Sequence, residues 1–245
     1  MNYMSLAVLA IAGVAALSSQ AVAGPGPPVY TCPKVDCAPK IDGKLDDPAW
    51  KLAPEVTFVL AATGEAATKH TTARMCWDDE CLYIAYDCAD TDIFATMTKR
   101  DDWIWREEVV EAFVCPDCDL RHYFEINLSP LNTVFDAHIV NEGTGPSTGT
   151  QYAWTCEGLR TAVVVDGTIE DRTDTDRGWT AEYAIPFAAL KRSTPKPGER
   201  WRLNLYRIDL YPEPKEFQAW SPTLVTPPAF HIPKRFGTVF FSGPA

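Results

Sequence analysis

Val109-Val110-Glu111-Ala112-Phe113-Val114 and, across a short loop, His122-Tyr123-Phe124-Glu125-Ile126-Asn127-Leu128 decide how this chain is read. Both stretches alternate with a period of two, the signature of a strand whose successive side chains leave opposite faces. Val110, Ala112 and Val114 point one way, and Val109, Glu111 and Phe113 the other. Phe124 and Ile126 share a face, opposed by Tyr123, Glu125 and Asn127. The spacing predicts an antiparallel hairpin with its aliphatic side toward a core. Glu111, Tyr123, Glu125 and Asn127 then lie together on the other side. Aromatic rings, carboxylates and an amide on one sheet face suit a neutral, polyhydroxylated ligand, because rings cover sugar C–H faces while acceptors take hydroxyl protons. The alternative for that face is an ordinary solvated surface.

The same periodicity extends in both directions. Residues 74–76 and 82–87 read as a hairpin around the acidic turn Trp77-Asp78-Asp79-Glu80, and 133–140 continues the central pair. Residues 159–166 and 178–185 read as a further pair joined by a polar loop at 170–177. Residues 201–210 form a long strand and 237–241 a last one. Only 186–190 and 45–52 look briefly helical. Many strands with short polar turns and no long helices predict an all-β fold, an antiparallel β-sandwich of the jelly-roll or immunoglobulin-like kind.

Composition agrees. Among 245 residues, 46% are apolar and 11% aromatic, which excludes a disordered chain. Lys and Arg total 22 against 33 Asp and Glu, a net charge of −11, which excludes a nucleic-acid binder and disfavours an anionic ligand. Residues 1–23 read as a signal peptide: a run of Ala, Val, Leu and Ile too short to span a bilayer comfortably, then Ala21-Val22-Ala23, an A-x-A cleavage signature. The mature protein is expected to be secreted or periplasmic, off the membrane and monomeric. Residues 24–39 form a proline-rich, extended lead-in, and 40–245 the sandwich domain.

Export recasts the 8 cysteines as a disulfide set. Cys76 and Cys81 would face each other across the acidic turn, Cys32 and Cys37 enclose a short loop, and Cys88 and Cys156 remain for a long-range pair. Cys115 and Cys118 flank a turn that is tight for a bridge. They could also be half of a zinc site, but no second half with such spacing follows.

Seven segments, in order, carry a family resemblance. Ile41-Asp42-Gly43-Lys44-Leu45-Asp46-Asp47-Pro48-Ala49-Trp50 resembles the I-D-G-x-L-D-D-x-x-W opening of family 9 carbohydrate-binding modules. Trp77-Asp78-Asp79 followed by Leu82-Tyr83-Ile84-Ala85 resembles a W-D-x-x-x-L-Y-V-A stretch, and Trp105 to Phe113 a W-x-x-D-x-V-E-x-F segment. Tyr123 to Asn127 is similar to the next strand, and Gly178-Trp179 to Ile185-Pro186-Phe187 to a G-W-x-x-E-x-x-I-P-F element. Ala219-Trp220-Ser221-Pro222 and Phe230 to Gly237 are similar to the family's end. The resemblance implies a β-sandwich that binds sugar chain ends between two rings, here Trp105 and Phe230. It implies a buried glutamate at Glu111 and a strand asparagine at Asn127. Two positions depart from it: Phe230 stands where binding members carry tryptophan, and Glu125 where they carry a sugar-contacting arginine. Family members are often appended to glycoside hydrolases, which implies a place in polysaccharide catabolism. No catalytic motif is present, so an enzyme is not expected.

The remaining candidates are open. Trp105 reads as a platform, whereas Trp103, Trp50, Trp179 and Trp201 read as core residues. A buried Glu111 needs a partner, for which Arg100, Arg121 and Arg207 are candidates. Asp87, Asp90 and Asp92 could hold a structural Ca²⁺, as could Asp171, Asp174 and Asp176, since loop carboxylates suit that ion; solvated loops are the alternative. Two other functions stay open: a b-type haem-binding redox sandwich using His122 with Met75 or Met97, and a structural or interaction sandwich without sugar binding.

Overall fold

A computed structural model describes residues 26–142 and 150–243. The expected signal peptide lies outside the described residues, among which no helix is long and apolar enough to cross a membrane. The strands are β1 (Val29–Cys32), β2 (Glu55–Thr57), β3 (Val59–Leu60), β4 (Thr71–Trp77), β5 (Cys81–Ala89), β6 (Val109–Cys115), β7 (His122–Leu128), β8 (Val134–Val140), β9 (Thr150–Ala153), β10 (Arg160–Asp166), β11 (Gly178–Pro186), β12 (Arg200–Asp209), β13 (Glu216–Ala219) and β14 (Gly237–Phe241). One short helix, α1 (Pro48–Leu52), precedes β2. Nine strands form one sheet, ordered β1-β14-β12-β6-β7-β8-β9 with β13 alongside β12 and β3 alongside β13, and five form the other, ordered β10-β11-β5-β4-β2. The pairings are antiparallel except β1 with β14.

The β-sandwich follows from the alternation. Val110, Ala112, Val114, Phe124 and Ile126 of the larger sheet meet Met75, Trp77, Leu82, Ile84 and Tyr86 of the smaller one in a shared core. Trp50, Trp179 and Trp201 are buried, as expected. The outer faces are not solvated either. On the larger sheet, Val109, Phe113, Tyr123, Phe135 and Tyr206 form a second apolar cluster with Ile104, Phe230 and Phe236 from two loops. On the smaller sheet, α1 lays Ala49 and Trp50 against Tyr83, Ala85 and Ala184.

Two of the motifs meet at one buried carboxylate. Glu182, in β11, accepts hydrogen bonds from the Trp50 indole at 2.8 Å and from the Asp42 and Gly43 amides at 2.9 and 2.6 Å. Gly43 holds φ +82°, and a Cβ there would lie 2.6 Å from Val164 Cγ2, so a side chain is excluded by conformation and by space. The I-D-G…W and G-W-x-x-E segments therefore clamp the N-terminal turn to the smaller sheet.

Several expectations change. Residues 29–32 of the lead-in belong to the sandwich as β1: Tyr30 is buried and its hydroxyl donates to Met75 O at 2.9 Å. Of residues 186–190, Pro186 ends β11 and 187–190 form a turn, not a helix. All eight cysteines are thiols. Asp78 Oδ1 accepts from the Glu80 and Cys81 amides, both at 2.8 Å, which tightens the β4–β5 turn so that Cys76 pairs with Tyr83 rather than Cys81.

Candidate functional site

The outer face of the larger sheet carries an ordered row. Tyr206 of β12 pairs with Glu111 of β6, Glu111 with Asn127 of β7, and Asn127 with Phe135 of β8. With strands about 4.8 Å apart, the row is about 14 Å wide. Each end bears an aromatic pair. Phe230 lies flat on Tyr206, centroids 4.2 Å apart at 11°, and Trp105 meets Phe135 edge-on at 4.6 Å. The two carboxylate-and-amide residues in the middle are thus bracketed by the rings that the resemblance singled out. A second row, Asn204, Phe113, Glu125 and Ala137, runs beside it.

Loops hold both ring positions. Ile104 is fully buried and anchors a 3₁₀ turn, Ile104–Arg106, that presents Trp105 half-buried. The Glu107 carboxylate ties the preceding strand of chain by accepting from the Thr96 and Met97 amides at 2.7 and 3.2 Å. Phe230 is 9% exposed, and its carbonyl accepts the Tyr206 hydroxyl at 2.8 Å.

The polar residues are deeply buried: Glu111 is 2%, Glu125 3% and Asn127 0% exposed. Asn127 Nδ2 donates to Glu125 Oε1 at 2.9 Å. Glu125 Oε2 and Asn127 Oδ1 have no hydrogen-bond partner among the described residues. Burial, and then the neighbouring Glu125, push the Glu111 carboxyl well above its ordinary range. Burial pushes Glu125 up to about 7, against the lowering influence of Asn127. His231 Nε2 lies 3.8 Å from Glu125 Oε2, but burial lowers the imidazole to about 4. The two do not form an ion pair at neutral pH; His231 is a neutral ring whose Nδ1 is 2.8 Å from the Tyr123 hydroxyl.

The guanidinium groups considered as partners for Glu111 are engaged elsewhere. Arg100 pairs with Asp136 and Arg121 with Glu142. Arg207 follows the opposite parity from Tyr206 and binds Asp90 at 2.8 Å and Asp209 at 2.5 Å. Tyr206, Phe135 and His231, which complete the site, lacked a sequence signal, because each depends on cross-strand register or loop folding.

Trp103, expected in the core, is 53% exposed and its ring stacks against that of Trp105 at 6.0 Å and 24°. The calcium candidates do not converge. Asp87 faces outward from β5 and is exposed, Asp90 is taken by Arg207, and Asp92 pairs with Arg172 at 2.7 Å. Asp90 instead groups with Glu108 and Asp209. Arg207 and Lys69 already neutralise that group, Lys69 reaching Asp209 at 2.5 Å, and burial holds Glu108 protonated by pushing it up to about 9. Three carboxyls so engaged do not match the six to eight oxygens that Ca²⁺ takes. In the second acidic loop, Asp174 accepts from Thr168 and Asp176 from Ile93 and Thr168, so those carboxylates cap the loop. Of the haem candidates, Met75 lies in the inter-sheet core and Met97 packs against the outer cluster of the larger sheet, while His122 is exposed with its Nδ1 2.5 Å from Asp119.

An extracellular protein of Arthroderma benhamiae is 27% identical over 218 residues, covering 84% of this chain and 94% of its own length. Exoglucanase XynX of Acetivibrio thermocellus is 27% identical over 155 residues, 62% of this chain but 12% of the enzyme. Among solved structures, one of a candidate carbohydrate-binding protein from Bacteroides uniformis superposes with a TM-score of 0.70 at 17% identity, covering 88% of this chain and all of the other. A family 9 carbohydrate-binding module from Caldicellulosiruptor kristjanssonii, solved with cellotriose, gives a TM-score of 0.60 at 13% identity, covering 89% and 95%. Residues 41–243 match the family described as carbohydrate family 9 binding domain-like, and the chain belongs to that family.

Proposed function

We propose that this protein is an exported carbohydrate-binding protein that takes a neutral oligo- or polysaccharide on the outer face of the larger sheet. Trp105 and Phe230 supply the rings, and Glu111, Glu125 and Asn127 bond sugar hydroxyls. The observation that carries this reading is the pair of buried acceptors without donors among the described residues, Glu125 Oε2 and Asn127 Oδ1, within rows bracketed by aromatic residues. Leaving such atoms desolvated and unpaired is costly. A polyol that reached this row would supply O–H donors to both. The role is binding, beside polysaccharide breakdown performed by other proteins, with the chain acting as a monomer. The relatives support the ligand class, since two solved neighbours hold cellotriose and glucose, and the extracellular relative supports export.

The test is calorimetry of the purified protein against a panel of neutral glycans, including cellotriose and glucose, with Trp105→Ala beside the wild type. Loss of one stacking ring is expected to weaken binding by about tenfold or more, equivalent to about 1.4 kcal/mol. Failure of the wild type to bind any glycan would refute the function. Unchanged affinity in Trp105→Ala would refute the placement of the ligand.

A further inference from the structure

We infer that Trp103 forms a second stacking position next to Trp105, so that the site takes at least two consecutive units of a glycan chain rather than a single terminal sugar. This rests on the saccharide reading above and extends it from a ligand class to a chain length. A lone exposed aromatic needs no explanation, but three observations set Trp103 apart. It is the only aromatic among the large exposed apolar side chains of the described residues. Its ring is near-parallel to that of Trp105, 24° between planes and 6.0 Å between centroids, so the two indoles form an offset stack.

The third observation is that the supporting backbone is fixed. The Asp102 amide donates to Lys99 O at 3.0 Å, Ile104 to Asp102 O at 2.8 Å, and Arg106 to Trp103 O at 3.0 Å. The Asp102 carboxylate accepts the Lys99 amide at 3.0 Å, and Ile104 is sunk into the cluster beneath. Trp103 is therefore presented by a preorganised turn, which spares a ligand the entropy of ordering it. The Arg106 guanidinium lies 4.1 Å from the Trp103 centroid. Such a contact is weak when exposed, so a sugar C–H face can displace the flexible arginine, whose five donors are then available to hydroxyls. The same loop borders a cleft of about 310 Å³, where Thr98 and Arg100 face Asn132 and Thr133.

The experiment measures affinity for β-1,4-linked gluco-oligosaccharides of one to four units with wild type, Trp103→Ala, Trp103→Tyr and Trp105→Ala. Wild-type affinity should rise by about tenfold when the unit that reaches Trp103 is added. Trp103→Ala should erase that increment and leave the shortest bound sugar unaffected, while Trp103→Tyr retains most of it. Trp105→Ala should weaken every length. As a surface change, Trp103→Ala should leave the melting temperature unaltered, which separates lost binding from lost folding. A Trp103→Ala effect equal at all lengths, or absent at all lengths, overturns the second position but not the carbohydrate reading. Absence of binding by the wild type at every length overturns both.

Discussion

Replacing Glu125 with glutamine tests the electrostatics of the site without removing its hydrogen-bonding oxygen. Burial raises the carboxyl from its ordinary 4.5 to about 7. Between those values the folded protein holds a proton that the unfolded chain releases. Stability therefore falls as pH rises through this window, and the loss is complete above about pH 7. At about 1.4 kcal/mol for each pH unit of the window, the ionised carboxylate costs about 3 kcal/mol at pH 8. Glutamine is neutral throughout and its Oε1 can still accept from Asn127 Nδ2. His231 complicates the wild-type curve in the opposite sense. Its value is lowered from 6.5 to about 4, so its contribution is lost as pH falls through that range, and the two slopes nearly cancel between pH 4.5 and 6.5. The difference between variant and wild type isolates Glu125. Urea unfolding at half-unit steps from pH 4 to 8.5 should show Glu125→Gln near wild type at pH 4 and about 2–3 kcal/mol more stable at pH 8. A difference that stays constant with pH, or a less stable variant at pH 8, would show that Glu125 is not held in a desolvated site.

Glu182→Ala should cost about 3–5 kcal/mol, because it strands the Trp50 indole and the Asp42 and Gly43 amides without their acceptor; denaturant unfolding measures it, and a loss under 1 kcal/mol would remove the clamp from the account of this fold. Thiol labelling of the native protein should modify Cys37 first, the one exposed cysteine, and leave the six buried ones protected. Burial pushes Cys88, Cys115 and Cys156 up to about 12, which suppresses the reactive thiolate. Eight labels after denaturation without reductant are expected; fewer would reveal disulfides.

The hairpin of β6 and β7 was legible because alternation is a local property. Once Val110, Ala112, Val114, Phe124 and Ile126 are assigned to the core, Glu111, Glu125 and Asn127 must share the other face. The tryptophans were only partly legible. Trp50, Trp179 and Trp201 follow strand or helix parity into packed positions, but Trp103 and Trp105 lie in and beside a 3₁₀ turn, where parity says nothing about exposure. The acidic groups misled for a related reason. Asp87, Asp90 and Asp92 are close in sequence, yet the end of β5 turns one outward and gives the others to Arg207 and Arg172.

The amino-acid sequence by itself determined the sheet-rich architecture, the faces of the central strands and the family, because these rest on period-two patterning and on motifs such as the Gly43 turn that few residues can satisfy. Only the tertiary structure decided what covers those faces. The outer side of the larger sheet is a second apolar cluster, because Ile104, Phe230 and Phe236 arrive from loops distant in sequence. The same burial raises Glu111 and Glu125 and lowers His231. Those protonation states come from desolvation, which depends on every neighbouring atom in space and on none of the neighbours in sequence alone.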